Sequence, residues 1–291
     1  MRVALLGFGL IGGSVARALH VVASADDQLG ALSVVAWSPG GSGARAAVRD
    51  AVIDLAAATP EAAIDGADLV VLAGPAPVCL EQLDDLAGPW SAALAPDAVI
   101  TDVASTKRAI VLRATALGLR FVGGHPMAGR ESSGYAASSP DLFVDRPWVV
   151  VPGTDETANR RVEALARACR ARPVRMAATA HDDAVAAISH LPLVVAAALV
   201  EAVSADRPDW PAVAELAASG WRDTTRLARG DATMGSGIVA TNGPAIAGRL
   251  RDLIGVLEAW LTELERPGGP DPALVADRLR AARAALETMS R

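Results

Sequence analysis

A histidine among glycines is the clearest candidate for proton-transfer chemistry in this sequence. His125 lies in the glycine-rich residues 123–134, directly after a predicted strand. Histidine is the side chain best able to accept a proton near neutral pH. A loop at the carboxyl end of a strand is where open α/β sheets bind ligands. We therefore expect His125 to act as a base in a ligand-binding crevice; the alternative is a structural histidine.

Two further polar residues are suited to hold a substrate. Ser105 follows a second predicted strand and could either cap the next helix or contact a ligand in the same crevice. Arg226 lies in an otherwise apolar helical region, where a guanidinium needs a carboxylate partner. Its planar fork can hold both oxygens of a carboxylate. We predict that Arg226 binds a carboxylate of the substrate.

A glycine fingerprint near the start of the chain predicts a dinucleotide site. Residues 7–12 follow a predicted strand and open a predicted helix, and this context makes their GxGxxG pattern specific. The three glycines permit, in turn, a tight turn, the approach of a pyrophosphate and close packing of the helix. Backbone N–H groups and the positive helix end would hold the phosphates. We expect cofactor contacts from Gly7, Gly9, Leu10, Ile11 and Gly12.

The choice between NAD and NADP depends on the end of the second strand. An acidic residue there would bind the ribose hydroxyls of NAD and repel a 2′-phosphate. This sequence has Ser38 instead, followed by Ser42 and Arg45, and its first acid is Asp50. Both cofactors are physically allowed, with a slight preference for NADP.

A second turn is expected to line the cofactor ribose. Residues 72–75 follow a predicted strand, and their small side chains and proline fit a backbone that lies against a ligand. An ordinary strand-ending turn explains them nearly as well. We predict cofactor contacts from Ala73 and Pro75.

The elements that must position these residues alternate between strands and helices in the first half of the chain. Apolar β-type runs separated by helical patterns are typical of a parallel sheet covered on both faces. We therefore predict an α/β fold with an N-terminal parallel-sheet domain. The predicted strands are residues 3–6, 34–37, 69–72, 99–101, 121–123, 148–151 and 173–176, and the helices are 11–19, 44–50, 107–117 and 156–171.

The second half of the chain predicts only helices. Helical patterns cover residues 184–204, 211–221, 245–264 and 271–290. We therefore divide the chain into a dinucleotide-binding domain, residues 1–176, and an all-α domain, residues 177–291. The apolar surface of the second domain, rich in Ala, Leu and Val, would suit a helix-packed homodimer.

Composition and charge exclude several other classes of protein. The net charge of −6 leaves no basic stripe to neutralise nucleic-acid phosphates. Cys79 and Cys169 form no metal-type or redox motif, so we expect no metal site and reduced, buried thiols. The uncharged run 184–200 is shorter than the roughly 20 residues that a bilayer requires. We expect a cytoplasmic protein without a membrane span.

Five sequence motifs occur in a familiar order and spacing. They are GFGLIGGS at residues 7–14, DVASTK at 102–107, GGHPMAGRESSG at 123–134, HDDAVAAISHLP at 181–192 and GWRDTTRLA at 220–228, with Asn242 following. Together they resemble the prephenate/arogenate dehydrogenase family. The resemblance implies a Rossmann domain followed by a helical dimerisation domain, and the oxidative decarboxylation of prephenate with NAD or NADP in tyrosine biosynthesis.

The resemblance also implies roles for individual residues. His125 would engage the ring hydroxyl of the substrate, with Ser105 assisting there. Arg226 would bind a substrate carboxylate, and Glu131 and His190 would lie at the pocket. By its pattern alone, His190 is more typical of a core histidine, and His181 marks the start of a helix. Since the sequence ends near the helical domain, no appended regulatory domain is expected.

Three departures from the family pattern leave the substrate and the cofactor open. Leu193 stands where the family often has a second histidine, Gly235 where an aromatic residue is common, and Ser38 where an acid is usual. Arogenate, which carries an amino acid side chain in place of the keto acid, is the main alternative substrate. A hydroxyacid dehydrogenase would be expected to use a lysine of the helical domain, and the sequence has none after Lys107. A non-catalytic dinucleotide sensor is the remaining alternative.

Overall fold

The computed structural model describes residues 1–25, 32–130, 132–205 and 207–289. The chain forms two compact units, residues 1–246 and residues 247–291. The first unit contains a β-sheet, the helices packed on it and several helices that follow. All the described candidate residues lie in this unit.

A single eight-stranded sheet forms the centre of the first unit. The strands are β1 (Arg2–Leu6), β2 (Ser33–Trp37), β3 (Leu55–Ala56), β4 (Leu69–Leu72), β5 (Val99–Asp102), β6 (Phe121–Pro126), β7 (Pro147–Val151) and β8 (Arg172–Arg175). They lie in the order β3-β2-β1-β4-β5-β6-β7-β8.

The direction of two strands differs from the prediction. Strands β1 to β6 run parallel, but β7 runs antiparallel to β6, and β8 runs parallel to β7. A strand buried on both faces has the same apolar run in either direction, so its sequence does not reveal the reversal. The two-residue β3 was also not predicted, because so short a strand has no detectable period.

The two faces of the sheet carry separate apolar cores. Val3 and Leu5 point into one core, whereas Ala4 and Leu6 of the same strand point into the other. Helices α1 (Leu10–Ala25), α2 (Ser42–Arg49) and α6 (Glu156–Ala168) cover the first face, and α3 (Pro60–Ile64), α4 (Ala76–Ala87) and α5 (Arg108–Ala116) cover the second. Burial on both faces explains why the strands are continuous apolar runs.

A long apolar helix follows the sheet. Helix α7 (Ala178–Val185) continues through a π-helical turn (Ala186–His190) into α8 (Leu191–Ser204). The continuous helix has 27 residues and contains an 18-residue window with a mean hydropathy of 1.9, so by length and composition alone it could cross a membrane. The helix begins at Ala178 rather than at residue 184, and the added turn contains two aspartates, so the uncharged run is still residues 184–200. The side chains of His181, Asp182 and His190 form hydrogen bonds inside the first unit.

The remaining helices differ from the prediction at their boundaries. The predicted helix 211–221 consists of two short helices, α9 (Trp210–Glu215) and α10 (Ser219–Thr224). Helix α11 (Ala232–Leu264) begins earlier than predicted and kinks at Asn242, where φ is −125° and ψ is 19°. Pro244, two residues later, lacks an N–H and disfavours helical backbone before it.

The second unit consists of the end of α11 and helix α12 (Pro272–Met289). The guanidinium carbon of Arg278 lies 4.1 Å from the ring centroid of Trp260, and Arg278 donates to the carbonyl oxygen of Ala259 at 3.1 Å. Many large apolar side chains of this unit are exposed, among them Ile254, Val256, Leu257, Leu261, Leu264, Leu274, Leu279 and Leu286. Such exposure is typical of a surface that packs against a partner.

Candidate active site

The histidine predicted to be the base lies at the carboxyl end of a strand. His125 is inside β6 and pairs with Val149 of β7, so it is not on a loop as the sequence predicted. The antiparallel partner extends the pairing to the end of β6 and keeps His125 in extended backbone. A Cβ at Gly124 would lie 2.5 Å from the carbonyl oxygen of Asp102. The glycine therefore allows the ends of β5 and β6 to approach closely.

A chain of hydrogen bonds fixes the His125 ring. Its Nδ1 lies 2.8 Å from Nε2 of His181, and Nδ1 of His181 lies 2.7 Å from Oδ1 of Asp182. An ionised carboxylate only accepts hydrogen bonds, so His181 carries its proton on Nδ1 and presents Nε2 as an acceptor. His125 then donates from Nδ1, which leaves the lone pair of its Nε2 available. This is the tautomer that a base requires.

Asp182 also forms the start of helix α5. Its two oxygens accept from the backbone N–H groups of Lys107 and Arg108, both at 2.8 Å. Burial raises the pKa of Asp182, but the hydrogen bonds from His181 and from these N–H groups outweigh burial and lower the pKa below its usual value. A cap supplied by Ser105 was therefore the wrong alternative. Ser105 is half-buried in the loop between β5 and α5.

The surroundings keep His125 and His190 neutral. Burial is the main reason why the pKa of His125 lies well below its usual value, and the nearby His181, Lys107 and His190 lower it further. Burial also lowers the pKa of His190 to about 4, against an opposing effect of Asp182. A neutral His125 can accept a proton at physiological pH.

His190 joins the same network through Asn242, the residue at the kink of α11. The Asn242 Nδ2 donates to the carbonyl oxygen of Asp182 at 2.9 Å and lies 3.1 Å from Nδ1 of His190. His190 therefore accepts at Nδ1 and carries its proton on Nε2. This buried Nε2 has no hydrogen-bond partner among the described residues. A buried donor needs an acceptor, which a ligand or a water molecule would supply.

Arg226 opens a 3-10 turn (Arg226–Arg229) that packs against α8, the helix that begins directly after His190. The side chain of Arg226 is exposed. The preceding Thr225 is buried and donates from Oγ1 to the carbonyl oxygen of Trp221 at 2.7 Å, which anchors the turn. Glu131, also predicted at the pocket, lies outside the described residues.

The glycine fingerprint lies at the carboxyl edge of the sheet, where the strand order reverses between β1 and β4. Gly7 has a φ of +104°, and a Cβ there would lie 2.7 Å from the carbonyl group of Ala73. A Cβ at Gly12 would lie 2.4 Å from the carbonyl oxygen of Gly7, whereas one at Gly9 would meet nothing within 4 Å. The open side of Gly9 is where a pyrophosphate can approach the backbone. These residues therefore fit a dinucleotide.

Four other predicted contacts lie around the fingerprint glycines of residues 7–12, which form the dinucleotide cradle. Leu10 and Ile11 form the first turn of α1, whose N–H groups would face the phosphates. Pro75 is the N-cap of α4, in the turn that brings Ala73 against Gly7. Cys79 supports this turn, because its thiol donates to the carbonyl oxygen of Gly74 at 3.3 Å.

The turn after β2, predicted to decide the cofactor, is covered by an arginine. Arg45 donates from Nη2 to the carbonyl oxygen of Gly40 at 3.1 Å, and the turn begins at Ser38, whose carbonyl oxygen accepts from the N–H of Gly41 at 3.0 Å. Gly41 has a φ of +63°, and a Cβ there would lie 2.3 Å from Nη1 of Arg45. The glycine thus leaves room for the guanidinium on the turn.

Asp50, the first acid after this turn, is engaged at the other end of α2. Tyr135 stacks on Phe8 of the fingerprint with ring centroids 5.5 Å apart, and its hydroxyl donates to Asp50 at 2.8 Å. The Arg17 guanidinium lies 4.4 Å from the same ring centroid and 3.4 Å from Asp50. These contacts fasten the β6–β7 connection to helices α1 and α2.

Leu193 and Gly235, two positions at which the sequence departs from the family pattern, line a groove of about 470 Å³ between α8 and the start of α11. A Cβ at Gly235 would lie 3.6 Å from Cδ2 of Leu193. This distance is an ordinary van der Waals contact, so the two positions are neighbours on the wall of the groove.

Sequence reasoning overlooked part of the histidine network. It identified His181 and Asp182 only as a helix start, and it gave no role to Asp102 or to Lys107. Two features of the sequence could have indicated these roles. His181 and Asp182 are ionisable residues next to a long apolar run, and Lys107 is the single lysine of the sequence. Among the described residues, no group of three or more His, Cys, Asp or Glu could hold a metal ion.

Comparisons with known proteins point to one family. The family model for the nucleotide-binding domain of prephenate dehydrogenase matches residues 32–178, and the model for its dimerization domain matches residues 177–271. Prephenate dehydrogenase of Bacillus subtilis is 32% identical over a match that covers 90% of this chain and 68% of that protein.

Solved structures of two similar proteins cover nearly the whole chain. The prephenate dehydrogenase of A. aeolicus, in complex with hydroxyphenyl propionate and NAD+, is 25% identical with a TM-score of 0.86, over 99% of this chain and 98% of that one. The Synechocystis arogenate dehydrogenase is 29% identical with a TM-score of 0.78, over 98% and 100%. The chain therefore belongs to the prephenate dehydrogenase family and is an NAD(P)-dependent oxidoreductase.

Proposed function

We propose that this protein converts prephenate to 4-hydroxyphenylpyruvate by oxidative decarboxylation, in tyrosine biosynthesis. One observation carries the proposal: the hydrogen bonds from Asp182 through His181 to His125 leave Nε2 of His125 able to accept a proton. The sheet thus presents a neutral base at the same edge as its dinucleotide fingerprint.

The reaction requires few protein groups. Nε2 of His125 removes the proton of the ring hydroxyl, and Ser105 forms a hydrogen bond with that hydroxyl. When bound, the nicotinamide supplies the acceptor for the hydride that leaves the same carbon. The bond to the ring carboxylate breaks to release CO2, its electron pair completes the aromatic ring, and the proton held on His125 returns to the ring oxygen. Because aromatisation drives the reaction, the protein supplies mainly orientation, a base and carboxylate recognition.

Three residues recognise the substrate in this proposal. Arg226 binds a carboxylate through its planar guanidinium. His190 lies at the pocket and donates from Nε2, which is buried and has no acceptor among the described residues. Glu131 also lies at the pocket, a role supported only by the sequence resemblance.

We infer a preference for NADP over NAD. Gly7, Gly9 and Gly12, with the start of α1, hold the pyrophosphate. The support for NADP is the turn after β2, where Ser38, Ser42 and Arg45 offer donors to a 2′-phosphate and no acid opposes it. Asp50 is held instead by Tyr135 and Arg17.

The protein acts as a cytoplasmic homodimer in this proposal. The boundary between its dinucleotide-binding and helical domains lies between residues 176 and 177, and the helical domain supplies the interface. The exposed apolar side chains of α11 and α12 support this arrangement. A net charge of −6 argues against a nucleic-acid partner.

Arogenate is the second candidate substrate, favoured by the likeness to the Synechocystis arogenate dehydrogenase. The test is a steady-state comparison of prephenate and arogenate, each with NAD and with NADP. We expect the highest kcat/KM for prephenate with NADP. A higher kcat/KM for arogenate would favour the second candidate, and dinucleotide binding without turnover of either substrate would indicate a non-catalytic sensor.

A further inference from the structure

The chain contains one lysine, and that lysine is completely buried. Among its 27 basic residues only Lys107 is not an arginine. Its side chain has no exposed surface, and it forms an ion pair with Asp102, which is equally buried. Burial of two charges costs several kcal/mol per ion before their attraction is counted, so a hydrophobic pair would serve stability as well. The pair therefore calls for an explanation beyond folding.

The carboxylate of Asp102 accepts hydrogen bonds from the backbone beside both candidate catalytic residues. Its Oδ2 accepts from the N–H of Ala104 at 3.1 Å, directly before Ser105. Its Oδ1 accepts from the N–H of Gly124 at 3.0 Å, directly before His125. The ammonium of Lys107 lies against Oδ2. One carboxylate thus ties together the ends of β5 and β6 at the two positions where the chemistry is proposed.

Lys107 also connects this carboxylate to the histidine chain. Its backbone N–H donates to Asp182 at 2.8 Å, and Asp182 holds His181 against His125. Asp102 thus holds the backbone next to His125, and Asp182 holds the His125 ring through His181. Lys107 contacts both carboxylates, with its ammonium on Asp102 and its backbone N–H on Asp182.

We propose that the Lys107–Asp102 ion pair is a positioning device for the reaction, which sets the backbone of Ser105 and His125 and so places the His125 ring against His181. This inference rests on the proposed roles of His125 and Ser105. Neither Lys107 nor Asp102 needs to touch the substrate for it.

The stem of the lysine packs closely against β6. A Cβ at Gly123 would lie 3.4 Å from Cδ of Lys107 and 3.1 Å from the side chain of Val151. Lysine presents a compact point charge on a flexible stem, whereas a guanidinium is planar and larger. The ammonium also contributes to the lowered pKa of His125.

The test separates stability from positioning by removing the charges singly and together. Lys107→Met keeps the stem and Asp102→Asn keeps the shape, but each single variant leaves an unpaired buried charge and should be strongly destabilised. The double variant buries no charge, so we expect its melting temperature to return close to that of the wild type. Its kcat should stay at least tenfold lower, with the KM for the dinucleotide unchanged. Recovery of both stability and kcat would overturn the proposal.

A matched control uses an exposed pair on the same helix. Arg113 of α5 pairs with Asp84 at 2.5 Å, and both side chains are about half exposed. The double variant Arg113→Met with Asp84→Asn should change neither kcat nor the melting temperature. A fall in kcat like that of the buried double variant would show that any change on α5 has this effect, and would overturn the proposal.

A second readout does not depend on turnover. Ring nitrogen NMR signals of His125, identified by their loss in His125→Asn, report its tautomer and its protonation. Because the pair sets where His125 stands relative to His181, we expect the hydrogen-bonded Nδ1 signal of His125 to be strong in the wild type and weakened in the double variant; the same signal in both would refute positioning even if no substrate were turned over. If the double variant does not fold, hydrogen exchange of the wild type decides. The amides of Ala104 and Gly124 should exchange together and as slowly as the core of β5, and faster exchange of either refutes the proposal.

Discussion

The dinucleotide cradle and the histidine network hold candidate ligand-binding groups at the same edge of one sheet by different means. The cradle is made of backbone, and its glycines lie in the single stretch 7–12. The network is made of side chains from β5, β6, α7 and α11, which only the fold brings together. A substitution in the cradle should therefore act by adding a Cβ where the glycines leave room. A substitution in the network should act by changing where charges and protons lie.

The largest expected effect comes from the end of the histidine network. His125→Asn removes the proton-accepting nitrogen and should lower kcat at least about a hundredfold, the usual scale for losing a general base. The cradle does not include this side chain, so the Kd of the dinucleotide should stay nearly unchanged. Steady-state kinetics and a fluorescence titration measure the two effects. Turnover at the wild-type rate would contradict the assignment of the base.

Asp182→Asn tests whether the network works as a chain. An amide can donate to as well as accept from His181, so the tautomers of His181 and His125 are no longer fixed. We expect kcat to fall roughly tenfold to a hundredfold, on the scale of general acid–base contributions. The matched control is Asp183→Asn, an exposed neighbour on the same helix, which should leave kcat unchanged. Equal kinetics of the two variants would show that Asp182 does not act through His125.

The same contrast explains how much could be predicted from the sequence. Gly7, Gly9 and Gly12 were identifiable because their function depends on neighbours in the chain. The role of His181 was not, because it depends on β6 ending beside α7, which no local pattern encodes. The start of α5 shows the same limit: a nearby Ser105 was the obvious cap, but Asp182 supplies it from 75 residues away. The antiparallel β7 placed His125 within a strand for the same non-local reason.

The network should make the fold sensitive to acid, whereas the cradle has no titratable side chain. The pKa of His190 is about 4 in the folded protein and about 6.5 without its surroundings. The unfolded state therefore binds a proton first as the pH falls. The contribution of neutral His190 to the free energy of unfolding is complete above about pH 6.5. It is lost towards pH 4, by at most roughly 3 kcal/mol.

Chemical denaturation at several pH values measures this loss. His190→Asn should lessen the fall between pH 6.5 and 4, with the part due to His125 remaining, and the exposed His20→Asn should leave it as in the wild type. If both variants lose stability as the wild type does, His190 is not the source of the acid sensitivity.

Two alanine substitutions separate the roles of the cradle glycines. A Cβ at position 12 meets the carbonyl oxygen of Gly7, so Gly12→Ala should lower the free energy of unfolding by about 1–3 kcal/mol. Gly9→Ala meets no protein atom within 4 Å, so stability should be unchanged while the KM for the dinucleotide rises. Denaturation and kinetics of both variants test this. Destabilisation by Gly9→Ala would mean that its open side does not serve the ligand.

The smallest expected effect concerns the one part of the cofactor site that depends on side chains. Arg45 lies over the turn after β2, and in the proposed NADP complex it would bind the 2′-phosphate. Arg45→Ala should raise the KM for NADP about tenfold, since one charge-assisted hydrogen bond is worth about 1.5 kcal/mol. The KM for NAD should change less than about twofold, because NAD carries no phosphate there. Arg49→Ala, an exposed arginine one turn later on α2, should affect neither cofactor. An equal rise for both cofactors would mean that Arg45 supports the turn itself, and the cofactor site would then depend on backbone throughout.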